Sequence, residues 1–182
     1  MIASHYSKAL DAAALILALA RCRLTDREPA HVLQARQNEH LLQLVHDFCF
    51  HARKAIELAN AETGAIAFAQ VLQLHGFGET EVRLDLEGKA LPLVDQSLWW
   101  VLGRVIHSQE AVVESHTDVA LGSEWASEPN LTEYETPVAF GVRSDRDGQE
   151  SVHYFLTERL VEAFLHVAPA IEQAVAAGKG AG

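Results

Sequence analysis

LLQLVHDFCFHARKAIELANA, Leu41 to Ala61, is the stretch that decides the fold. At about 100° of turn per residue, Leu41, Val45, Phe48, Ala52, Ile56 and Ala59 fall within one narrow wedge. A strand, with its period of two, would scatter the same residues over both faces, so the stripe predicts a helix with one buried side. No Gly or Pro interrupts the chain between Pro29 and Gly64. The helix is therefore expected from about Pro29 to Ala61, with Pro29 in its first turn and Thr25 and Asp26 ahead of it as capping residues.

Working outward, Leu10, Ala14, Ile16 and Leu17 recur at helical spacing and predict a first helix over residues 2–23. Beyond Gly64, Ala65 to Leu74 reads as a shorter apolar helix closed by His75-Gly76. The pattern then changes. Glu81 to Glu87 alternates polar and apolar residues, the signature of a half-buried strand. A helix is expected over 95–109 with Asp95 as its N-cap, followed by a short strand at 111–117 and a polar, acidic loop over 118–136. Pro137 to Val142 and Ser151 to Leu156 flank Ser144-Asp145-Arg146-Asp147-Gly148, which predicts a hairpin. Thr157 is expected to cap a final helix from Glu158 to about Ala177, kinked near Pro169, with a disordered tail over 178–182.

These elements predict a mainly α fold, a four- to five-helix bundle with a small antiparallel β hairpin before the C-terminal helix. One domain is expected over 1–177, with the β insertion at about 79–156. The chain of 182 residues, 49% hydrophobic and 21% charged, has an ordinary globular composition. Its longest apolar run, Ala12 to Ala20, has nine residues, too few to span a bilayer, and Arg21-Cys22-Arg23 follows in place of a small-residue cleavage site. Cys22 and Cys49 form no CxxC pair. The expectation is a cytoplasmic protein without membrane contact. Charge is uneven: residues 1–60 hold seven Lys/Arg and six Asp/Glu, residues 61–182 seven and nineteen. That balance argues against a whole-protein electrostatic grip on nucleic acid, and leaves room only for a local basic face.

Two polar constellations stand out. In the helix over 95–109, Leu98, Leu102 and Val105 share one side. Trp100, Arg104 and His107 fall on the other, at i, i+4 and i+7. Trp100 is large enough to anchor an interface, Arg104 can stack on it, and an Arg with a His can serve metal-free phosphodiester cleavage. On the long helix, Arg36, His40, Asp47, His51 and Lys54 share one polar stripe, and Asp47 and His51 can pair or jointly hold a metal. A metal-binding bundle repeats Glu-x-x-His on facing helices, and no such repeat occurs here. No metal and no cofactor is expected. Gly76-Phe77-Gly78 is only a turn signal, GxSxG and HExxH are absent, and Glu124, Glu128, Glu133 and Glu135 read as a solvated face.

Phe48 to Glu57 (FCFHARKAIE) and Leu98 to Ser108 (LWWVLGRVIHS) resemble segments of HEPN-like helical domains of prokaryotes. The resemblance implies a compact, dimeric helical bundle of the toxin–antitoxin or phage-defence type, either a metal-independent ribonuclease or a non-catalytic binding module. Arg104 and His107 are separated by two residues and Arg36 and His40 by three, both closer than the family's usual Arg-to-His spacing. Three readings follow. The first in rank is a homodimeric binding or regulatory module with a protein or RNA partner, contacting it through Trp100, Arg36, His40, Asp47 and His51. The alternative is a ribonuclease using Arg104 and His107. A metal-dependent enzyme built on His40, Asp47 and His51 comes last.

Overall fold

The computed structural model describes residues 1–20, 24–25, 28–63, 82–84, 90–91, 97–121, 131–144 and 151–180. The elements in chain order are α1 Ile2–Ala20, β1 Leu24–Thr25, α2 Glu28–Thr63, β2 Val82–Leu84, β3 Ala90–Leu91, α3 Leu98–Ile106, β4 Glu110–Leu121, β5 Leu131–Ser144, β6 Ser151–Leu156 and α4 Thr157–Gly180. The fold is mainly helical, with an antiparallel β element ahead of the C-terminal helix. The expected helix at 65–74, Cys22, Asp95 and the loops at 122–130 and 145–150 lie outside the described residues.

The stripe beginning at Leu41 is the centre of the core. Leu41, Val45, Phe48, Ala52, Ile56 and Ala59 are all buried on α2. α1 lies antiparallel beside them: its C-terminal Leu19 carbonyl accepts a hydrogen bond from Gln37 Nε2 at 2.8 Å, while its N-terminal His5 reaches His51. Ala9, Ala12, Ala13 and Ile16 supply the small buried face that lets the two helices approach. α4 closes the bundle through Leu160, Phe164, Val167 and Ile171, with Phe164 set edge-on to Phe48 at 5.3 Å between ring centroids. By length and composition alone α4 is apolar enough to cross a membrane over Thr157–Gly178. Its apolar side lies in this core.

The sheet is larger than a single hairpin. β5 is its central strand: β4 pairs along one edge, while β6 (at 139–144) and β1 (at 134–135) share the other. β2 continues the sheet from β6, and β3 from β2. The expected acidic loop at 118–136 is corrected here, since 118–121 and 131–136 are paired strand. Ladder pairing satisfies the backbone of a polar segment as well as that of an apolar one, so acidity alone does not make a loop. The register shifts at Glu114/Ser115, where Val138 is passed over beside Pro137. A bulge is where a strand tolerates proline, which has no N–H to donate.

Three helix boundaries also differ from the sequence expectation. Ser97, not Asp95, caps α3: its hydroxyl accepts from the Trp100 backbone N–H at 3.2 Å. α4 runs as one helix through Pro169 to Gly180, so residues 178–180 of the expected tail are helical. Pro169 and Leu165 are exposed, which lets water satisfy the Leu165 carbonyl that a proline four residues on leaves without a donor. Thr157 is the first residue of α4, and its buried Oγ1 makes no capping hydrogen bond.

Candidate functional site

The short helix α3 is packed on more than one side, and this overturns the expectation that Trp100, Arg104 and His107 look outward together. Leu98, Leu102 and Val105 are buried as the wheel predicts, yet Val101 is buried too, and Arg104 with them at 3% exposure. Its guanidinium carbon lies 4.7 Å from the centre of the Trp100 ring, the stacking expected of an i, i+4 pair. Trp100 is half-buried and meets β6, with His153 edge-on at 5.1 Å and Phe155 at 6.4 Å. Only His107 faces solvent, as the C-cap residue whose backbone N–H donates to the Gly103 carbonyl at 3.2 Å.

A second stack, missed from the sequence, holds the same helix to α2. The Arg53 guanidinium carbon sits 4.2 Å from the centre of the Trp99 ring. Glu57 orients that arginine at 3.5 Å and receives Lys54 at 2.9 Å. The hydrogen bond from Lys54 holds the Glu57 carboxyl below its ordinary range, with Arg53 adding to it and partial burial opposing. The adjacent tryptophans Trp99 and Trp100 thus face two different neighbours, and each carries its own guanidinium. Cation–π contacts of this kind are worth about 0.5–2 kcal/mol each, rising as water is excluded.

The α2 stripe divides in a comparable way. His51 turns toward α1, where its Nδ1 lies 2.8 Å from Nδ1 of His5. One ring must donate and the other accept, so the contact is a tautomer-locked hydrogen bond. The ring centroids are 5.0 Å apart, so the two nitrogens lie nearly on the line joining the rings and do not converge on a third point. Burial, aided by the charges of His5 and Lys8 and opposed by Asp47, pushes the His51 imidazole below its ordinary value. No group of three potential metal ligands occurs among the described residues, and His40, Asp47 and His51 are not gathered into one. Arg36, His40 and Asp47 stay exposed on the outer face of α2, Arg36 bridging to Glu39 at 2.8 Å.

No known protein family, characterised protein or solved structure matches the chain. The chemistry must be read from the side chains themselves. Cys49 is fully buried, and burial alone pushes its thiol well above the ordinary range, so it is not an activated nucleophile. Tyr6 is raised to about 12 by burial and by its 2.7 Å hydrogen bond to Glu172, which ties α1 to α4 and keeps the phenol protonated. Among the described residues, large apolar side chains left to solvent include Val32, Leu33 and Phe50 on α2, Leu15 on α1, Val112 on β4 and Leu165 on α4.

Proposed function

We propose that the chain is a non-catalytic binding or regulatory module that works as a homodimer and presents the outer face of α2. The observation that carries this reading is the burial of Arg104. A guanidinium at 3% exposure, laid over Trp100, does not reach a scissile phosphate without leaving the core. Its role is then to fasten Trp100, four residues earlier on the same helix, in its seat against β6, and His107 is left without the cation that a phosphodiesterase pair needs. The resemblance to HEPN-like domains extends the proposal to control of a partner in a prokaryotic defence or toxin–antitoxin system, in the cytoplasm.

Sedimentation equilibrium at micromolar concentrations tests the reading, together with incubation against single-stranded RNA in the presence of chelator. The expected result is a dimer that leaves the RNA intact. Cleavage that disappears in Arg104→Ala while the fold is retained would establish the ribonuclease instead. A monomer across the concentration range would remove the dimeric module.

A further inference from the structure

Along the exposed face of α2, Leu33, Arg36, His40, Gln43, Asp47 and Phe50 follow one another at spacings of three, four, three, four and three residues. That is the repeat of a coiled-coil seam, and all six residues are solvent-exposed in the folded chain. The core stripe of α2 runs along the opposite side, from Leu41 to Ala59, so the outer repeat stays outside the buried core, although Phe50 also lies edge-on to His5 at 6.1 Å and to His51 at 5.2 Å.

The seam is complementary to itself when reversed. Turning a second α2 about a two-fold axis level with Leu41 and Leu42 brings three kinds of layer together. Leu33 meets the partner's Phe50, Arg36 meets the partner's Asp47, and His40 meets the partner's Gln43, each repeated once by symmetry. The apolar side chains sit at both ends, where Leu33 is 56% and Phe50 44% exposed. The opposite charges fall inside them, and the His40–Gln43 pair crosses at the axis. A parallel arrangement does the reverse, setting Arg36 against a second Arg36 and Asp47 against a second Asp47, which costs energy in both layers. The Arg36–Glu39 bridge does not compete seriously, because an exposed i, i+3 pair is weak.

We propose that two copies of this chain associate through an antiparallel α2–α2 seam held by Leu33–Phe50 and Arg36–Asp47 layers. This rests on the homodimer reading above and adds its geometry. With two apolar and two ionic layers, the interface belongs to the small, reversible class, and its affinity falls with added salt.

A charge swap followed by sedimentation equilibrium tests it. Arg36→Glu and Asp47→Arg each replace two attractive contacts per dimer with two repulsive ones. Each is expected to weaken the dimer by about tenfold or more. The double variant R36E/D47R restores the pairing with the charges exchanged, and should return to within about threefold of the wild type. Direction is read separately by oxidative cross-linking: mixed Leu33→Cys and Phe50→Cys chains should join to each other, and Leu33→Cys chains alone should not. A wild-type dimer indifferent to both single substitutions overturns the seam while leaving the homodimer in place. Failure of the double variant to recover, or cross-linking of Leu33→Cys to itself, likewise overturns the seam. A wild-type monomer overturns the seam and the homodimer together.

Discussion

Replacing Arg104 by Met removes the guanidinium from over the Trp100 ring while keeping most of the apolar volume of the side chain. The stack it abolishes spans 4.7 Å at a site where Arg104 is almost fully buried. The desolvated end of the cation–π range applies, and the cost should be about 1–2 kcal/mol. Arg104→Ala removes two further buried methylenes at about 0.8 kcal/mol each, bringing the total to roughly 3–4 kcal/mol. For a chain of this size these values correspond to falls in Tm of about 2–8 °C and 6–16 °C. Urea unfolding followed by far-UV circular dichroism at neutral pH measures both. A cycle with Trp100→Leu isolates the stack, with an expected coupling of about 1–2 kcal/mol. The sign is what matters. An arginine held ready for a phosphate carries an uncompensated desolvation cost, and its removal stabilises the protein or leaves it unchanged. Arg104→Ala within about 0.5 kcal/mol of the wild type, or a cycle with no coupling, would refute the fastening role.

Other parts of the fold make predictions of their own. Ser97→Ala removes the hydroxyl that accepts from the Trp100 N–H, and should cost about 1 kcal/mol in the same urea assay, while Asp95→Ala should cost far less. Cys49, buried and with a raised thiol, should react with a disulfide reagent only as fast as the protein opens, and at once in denaturant. The folded His51 imidazole lies below its unfolded value, so the stability it contributes is complete above the unfolded value of about 6.5 and is lost as pH falls through the lower folded one. Between about pH 7 and 5 the wild type should therefore lose more stability than His51→Gln, and equal losses would rule out the partly buried His51 imidazole as the cause.

How much of the fold is legible in the sequence depends on how local each signal is. The α2 core is legible because six apolar residues repeat over many turns, and no competing period fits them. The N-cap of α3 is not, because Asp95 and Ser97 are both good caps. The choice between them is made by where the helix must start for Leu98, Leu102 and Val105 to reach the core. The long strands β4 and β5 read as shorter than they are because their middle is acidic, whereas their pairing depends on a partner strand that no local window contains.

The polar residues show the limit of a wheel most clearly. Wheel logic assigns Arg to solvent because a lone buried guanidinium is costly. Trp100, four residues earlier, supplies an apolar face with a negative quadrupole, and this changes the assignment of Arg104 from outside to inside. The pair is visible in the sequence as an i, i+4 contact; its consequence for burial is not, because that requires β6 to arrive behind it with His153 and Phe155. His51 follows the same logic across helices. It shares a stripe with Asp47 and His40, but α1 brings His5 to it from 46 residues away and takes it out of that stripe. Among the residues left exposed on α2, outside the buried core, are Leu33, Arg36, His40, Gln43, Asp47 and Phe50. Setting aside His51 and Lys54 and adding Leu33, Gln43 and Phe50 turns an irregular polar stripe into a regular heptad seam, and that regularity is the reason for expecting a second helix against it.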